Sequence, residues 1–273
     1  MRSLFILLAV IYTGTAYTQT DSLSAKFPVN TGYLSSFDNT KIYYECRGNG
    51  KPVVLIHGFI VNSNSWKKTA MYTDLLNNGY RVILLDLRGN GKSDKPHDST
   101  AYENDAEAKD VMLLMDKLKI KNYAVIGYSR GSIITAKLLA LDKRIHAAVL
   151  GGMGTDFTNP DWPRRIMFYH ALRGDSIPEM KAVIDNISRQ NLDRTALMWM
   201  QRYQPSTSIQ TLNKVKQPVL VICGDQDSDN GSAADLAKLF KRSSFATVPG
   251  NHGGAYHTPQ FSTEIQKFLK ENY

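Results

Sequence analysis

Short unbroken apolar runs, each followed by a stretch with helical spacing, constrain this chain more than any other feature. Residues 53–56, 81–85 and 123–126 are too short for buried helices and too uniform for strands with one wet face. Strands read this way when both faces are covered. Helix-compatible stretches follow at 63–78, 104–118 and 132–141, and the alternation resumes with strands at 147–150, 218–223 and 245–248. Helices are expected at 232–240 and 258–269, and residues 32–37 and 41–46 read as a strand pair turning at Asp38-Asn39. Such alternation predicts an α/β fold, a mostly parallel central sheet flanked by helices.

One region breaks the rhythm. Residues 155–210 are strand-poor, rich in helical pattern, and hold Trp162 and Trp199. We expect a small helical cap there, inserted between a first core part (19–154) and a second (211–273). Residues 1–18 have the form of an export signal: Arg2, an apolar run over 4–12, then small residues through Ala16 and Thr18. That run is short for a bilayer span, so a cleaved signal and a secreted or periplasmic protein are expected, without a stable membrane anchor. The 273 residues carry a formal charge of +8, but the basic residues are scattered and form no nucleic-acid-binding pattern. Cys46 and Cys223 fall in separate expected strands and are read as unpaired thiols, with no second ligand at metal spacing.

The stretch Val125-Ile126-Gly127-Tyr128-Ser129-Arg130-Gly131 sets a serine at the junction of strand and helix. A serine hydroxyl attacks only when held clear of its strand and relieved of its proton. A sharp strand-to-helix turn does the first, and glycines two before and two after remove Cβ atoms that would clash. His252, in a Gly-Asn-His-Gly-Gly loop after the last expected strand, is the candidate base. His97, His146, His170 and His257 lie in less suitable settings. A base of this kind needs a carboxylate to fix its tautomer, and Asp225 and Asp227 both follow the strand at 218–223.

These motifs, in this order, resemble those of the α/β-hydrolase fold family, of the capped lipase/esterase-like kind. The resemblance runs from about residue 32 onward and includes His57-Gly58-Phe59, the segment Asp86-Leu87-Arg88-Gly89-Asn90-Gly91-Lys92-Ser93-Asp94, and the Gly224-Asp225-Gln226-Asp227 turn. It implies a catalytic triad of Ser129, Asp227 and His252, with Asp156 a distant alternative for the acid. It implies an oxyanion hole from the backbone amides of Phe59 and Arg130, and no metal or organic cofactor. The Arg130 side chain departs from the small or apolar residue common there, and is expected to face a substrate carboxylate or a carboxylate of the cap. His57 is expected to shape its loop. Gly89-Asn90-Gly91-Lys92-Ser93 imitates part of a phosphate-binding loop, yet Asp86 stands where that pattern needs its first glycine.

The function expected is hydrolysis of an ester or related activated acyl bond in a small molecule. C–C bond hydrolysis, lactone hydrolysis and perhydrolysis use the same triad and stay open, as does a non-catalytic ligand binder. Trp162, Phe168 and Trp199 are the candidate substrate-lining residues. With Met198 and Met200 they form a stripe of a kind that is more often the core of a cap than a substrate wall.

Overall fold

The computed structural model describes residues 26–273, so the expected signal segment lies outside the described residues. Eight strands form one sheet: β1 (Val29–Ser35), β2 (Lys41–Arg47), β3 (Pro52–Ile56), β4 (Arg81–Leu85), β5 (Tyr123–Tyr128), β6 (Ile145–Gly151), β7 (Val219–Gly224) and β8 (Ser243–Val248). Their spatial order is β1-β2-β4-β3-β5-β6-β7-β8. The pairs β1/β2 and β2/β4 are antiparallel, and all the others are parallel. Among the described residues ten α-helices accompany them: α1 (Asn64–Lys67), α2 (Ala70–Asn77), α3 (Ala106–Lys117), α4 (Arg130–Leu141), α5 (Pro163–Arg173), α6 (Lys181–Arg189), α7 (Arg194–Arg202), α8 (Ile209–Leu212), α9 (Ala233–Lys238) and α10 (Pro259–Asn272).

The apolar runs are uniform because the sheet is covered twice. Val54, Ile56, Ile83, Leu85 and Val125 pack against α3 and α4 through Val111, Leu114, Ile134 and Leu138. Their neighbours Val53, Leu55, Val82, Leu84 and Ile126 face the other way, onto Leu75 and Leu76 of α2 and Phe261, Ile265 and Leu269 of α10. This is strand period two with both faces dry. Each such Leu, Ile or Phe contributes about 1.5–3 kcal/mol by leaving water. Cys46 on β2 and Cys223 on β7 are free thiols, with β4, β3, β5 and β6 between their strands. Burial, and next the nearby Asp227, push the Cys223 thiol up to about 11.

The strand order places the site. From β3 the chain first goes outward to β4, then crosses back to add β5 on the other side of β3. The loops leaving the carboxyl ends of β3 and β5 therefore diverge, and open a crevice at that reversal. Between β6 and β7 the chain leaves the sheet to form α5 to α8. Among the described residues, no helix is long and apolar enough to cross a membrane.

Candidate active site

Strand β5 runs two residues further than its apolar run suggests, because Gly127 and Tyr128 still pair with Leu150 and Gly151 of β6. Ser129 then turns the chain abruptly, with φ 54° and ψ −121°, and α4 begins at the next residue. Both glycines are required by contact. A Cβ on Gly127 would sit 2.2 Å from the Gly131 carbonyl oxygen, and one on Gly131 would sit 2.1 Å from that of Ile56. The turn is pinned from outside: Ser129 N donates to Gly151 O at 2.8 Å, and Ser132 Oγ donates to the same carbonyl at 2.7 Å.

His252 reaches this serine from the loop after β8. Its Nε2 lies 3.0 Å from Ser129 Oγ, and its Nδ1 lies 2.9 Å from Asp227 Oδ2. An ionised carboxylate only accepts, so Nδ1 carries the proton and donates to Asp227. Nε2 is then free to accept from the serine hydroxyl. Asp227 is nearly buried, at 3% side-chain exposure, while the ring keeps 28%. Asp225, the competing acid, accepts from Gly250 N at 2.9 Å and so braces the histidine loop from below. Asp156 is packed against Gly231, where a Cβ would meet its Oδ1 at 2.2 Å.

Two further residues lie against His252. Tyr128 Oη donates to His252 O at 2.6 Å and its ring lies 5.5 Å from the imidazole. Burial, and next the Asp227 carboxylate, drive the Tyr128 phenol well above its ordinary value, so it remains a donor. The Asn230 amide donates to Gly152 O at 3.2 Å and lies 3.5 Å from His252 Nδ1. Tyr128 was hidden in plain view inside the Gly-x-Ser-x-Gly pattern, whose variable positions carry no chemical expectation. Asn230 had no sequence signal.

The His57-Gly58-Phe59 loop leaves β3 beside the serine. Leu87 N donates to His57 Nε2 at 3.0 Å, so the proton sits on Nδ1, which donates to Gly58 O at 2.7 Å. Burial holds the His57 imidazole below its ordinary value, keeping it neutral as this arrangement demands. Asn90, oriented by its hydrogen-bonding partners, donates to Phe59 O at 3.1 Å and Val61 O at 3.3 Å. Asp86 fills the loop that imitates a phosphate cradle: it accepts from Ser63 N at 2.9 Å and Lys92 N at 2.8 Å. Those amides are occupied by a carboxylate of the chain itself. The N–H groups of Phe59 and Arg130 have no acceptor among the described residues.

A cavity of about 340 Å³ opens over Ser129 and His252. Its walls include Phe59, Trp66, Tyr128, Trp162, Phe168 and Tyr256. Phe168 meets Phe59 edge-on at 5.7 Å, and Tyr256 lies 4.6 Å from Tyr128. Trp162 and Phe168 line this cavity. Trp199 does not. Its indole donates to His97 O at 2.9 Å, on the far side of α7, and it packs with Tyr203 and the small core of the helical segment. Helical periodicity explains the error: Gln201, two residues on, faces the cavity instead.

Arg130 is also corrected. Its guanidinium meets no carboxylate of the helical segment. It pairs with Glu107 of α3, in the body of the fold, through both Nε and Nη2. Of the remaining histidines, His97 pairs with Asp193 and His170 with Asp175, His146 is exposed, and the His257 ring lies tilted against that of Tyr256, with centroids 4.0 Å apart.

Fold and site together define a class, and comparison with known proteins agrees. The chain belongs to the α/β hydrolase fold family, whose sequence profile matches residues 51–185. A protein from Synechocystis sp., named provisionally as a non-heme chloroperoxidase, is 30% identical over 273 positions, spanning 84% of this chain and 95% of its own. Among solved structures, an esterase from Rhodococcus sp. ECU1013 is similar with a TM-score of 0.66 at 25% identity, over 89% of this chain and 99% of that one. The enol-lactonase from Burkholderia xenovorans LB400 shares the fold at a TM-score of 0.72 and 21% identity, over 88% and 100% of the two chains.

Proposed function

We propose that this chain is a serine hydrolase that cleaves an ester or similarly activated acyl bond of a small molecule. The observation that carries the reading is the unbroken hydrogen-bond chain from Ser129 Oγ through His252 to Asp227. In this reading Ser129 Oγ attacks the substrate carbonyl carbon while His252 Nε2 takes the hydroxyl proton. The carbonyl oxygen becomes an oxyanion facing the amides of Phe59 and Arg130, which are already oriented and unspent. Preorganised donors of this kind are worth about a hundred- to a thousandfold each in rate. Collapse breaks the bond to the leaving alkoxide, which takes the proton from His252 and leaves acyl-Ser129. Water, deprotonated by His252, then attacks the acyl carbon, releasing the acid and restoring the serine. Asp227 holds the tautomer and the orientation of His252 throughout.

The aromatic walls suit an apolar acyl group, and the segment carrying α5 to α8 acts as the cap expected at 155–210. The N-terminal Arg2 and the apolar run over 4–12 support export and removal of that segment. The intact mass of the mature protein tests this point: loss of 16–18 residues supports export, and a full-length mature chain contradicts it.

A panel of nitrophenyl esters tests the chemistry. Wild type should hydrolyse short-chain members, and Ser129→Ala should lose about 10⁴-fold or more. A wild type that binds these esters without turnover would favour a non-catalytic binder. The chloroperoxidase name of the 30% identical relative favours one second reading. Hydrogen peroxide in place of water would release the acyl group as a peracid, which oxidises halide to hypohalous acid and returns the carboxylic acid. Bromination of a dye that needs both peroxide and a short carboxylic acid, and fails in Ser129→Ala, would establish it.

A further inference from the structure

Arg130 carries two jobs on one residue. Its backbone N–H lies at the start of α4, beside the nucleophile. Its side chain is buried, with 2% exposure against 4% for Glu107. Nε donates to Glu107 Oε1 at 3.2 Å, and Nη2 donates to Glu107 Oε2. Nη2 also donates to Met200 O at 2.8 Å, and Nη1 donates to Gln204 Oε1 at 3.2 Å. The guanidinium carbon lies 5.9 Å from the centre of the Phe59 ring. One planar group thus touches the body of the fold through α3, the last turn of α7 and Gln204 two residues beyond it, and the loop that bears the other oxyanion amide. Most of its N–H donors are spent on the protein, so it has little left for a substrate.

A buried pair like this is poor evidence for stability. Desolvating both charges costs several kcal/mol, and well-packed apolar replacements are often as stable or more so. A bidentate arginine fork does fix geometry in several directions at once. The end of α7 rests on the same ground from another side. A Cβ on Gly89 would meet Met200 Sδ at 2.9 Å, and Trp199 is tied to His97 O.

We propose that Glu107 and the Arg130 side chain are a positioning pair that sets the spacing of the two oxyanion amides by locking α7 to the body of the fold. Glu107 orients the guanidinium; the guanidinium holds the α7 end and the face of Phe59; the amides of Phe59 and Arg130 stay aimed at one point. The inference rests on the acyl-transfer reading above and adds to it a residue, Glu107, that touches no substrate.

The test compares Glu107→Gln with the apolar double variant Glu107→Leu/Arg130→Met. Three quantities are read on a short nitrophenyl ester: kcat, KM, and the affinity of a trifluoromethyl ketone, whose adduct with Ser129 places an oxyanion in the hole. Thermal midpoints are read alongside. Glu107→Gln should lower kcat about ten- to a hundredfold, with KM within about twofold and ketone affinity weakened in proportion to kcat. The double variant should recover thermal stability and remain slow, with equally weak ketone binding. Glu107→Asp should regain part of kcat. A stable double variant with kcat and ketone affinity within twofold of wild type would overturn the proposal and leave the pair a packing element. An inactive wild type would instead sink the acyl-transfer reading itself.

Discussion

Backbone contact at single positions explains more of this site than side-chain chemistry does. Gly131 is needed because the Ile56 carbonyl passes 2.1 Å from where its Cβ would be. Gly131→Ala should therefore destabilise the fold by about 3 kcal/mol, lowering the melting temperature by roughly 6–12 °C. Gly253→Ala, whose Cβ would meet only Asn251 Oδ1 at 3.9 Å, should leave the melting temperature unchanged. Calorimetry on the two separates contact from mere loss of glycine. Asp227→Asn should keep the fold and cut kcat by about 10⁴-fold, because an amide no longer enforces the proton on Nδ1. A loss below tenfold would show that the acid is placed elsewhere. Serine, histidine and their glycines were legible in sequence because their spacing is dictated by the local backbone. Glu107 was not, since it lies in an amphipathic helix where an acidic residue ordinarily faces water.

At the scale of elements, the histidine loop is held by the strand that leads into Ser129. Tyr128 ends β5 and donates to His252 O, so one strand positions both partners of the proposed proton transfer. Tyr128→Phe leaves that carbonyl without its donor, at a cost of about 1–2 kcal/mol. We expect kcat to fall about five- to tenfold with KM nearly unchanged, measured on a short ester at neutral pH. An unchanged kcat would mean that ring packing alone holds the loop. The strands themselves were read correctly to within a few residues, because burial on both faces leaves a run of apolar residues without interruption. The walls of the cavity were read less well. Trp162 and Trp199 look alike in sequence, and only the rotation of α5 and α7 against the body of the fold decides which one faces the serine.

For the molecule as a whole, strand–helix alternation predicts the sheet but not the order in which strands lie. That order depends on the chain crossing back after β4, a long-range choice with no local mark, and it sets the crevice where the site forms. Global stability also carries the imprint of one buried ring. Burial holds His57 below its ordinary value of 6.5, so the unfolded chain binds a proton that the native state refuses. Its contribution is complete above pH 6.5 and is lost as pH falls below that value toward its depressed folded one. Urea titrations from pH 7.5 downward should show this loss, with a slope of up to about 1.4 kcal/mol per pH unit from this group. His57→Gln should be less stable at neutral pH and flatter in profile. An equal slope in both proteins would assign the acid sensitivity elsewhere.

The proposed hydrolysis depends above all on Ser129 being the activated nucleophile, its proton accepted by His252. The most direct measurement is mass-spectrometric mapping of the adduct left by a fluorophosphonate probe on the folded protein. The expected result is a single adduct on Ser129, absent in Ser129→Ala and formed at least about a hundredfold more slowly in His252→Ala. No adduct on the wild type, or an adduct on another residue with Ser129 untouched, would contradict it.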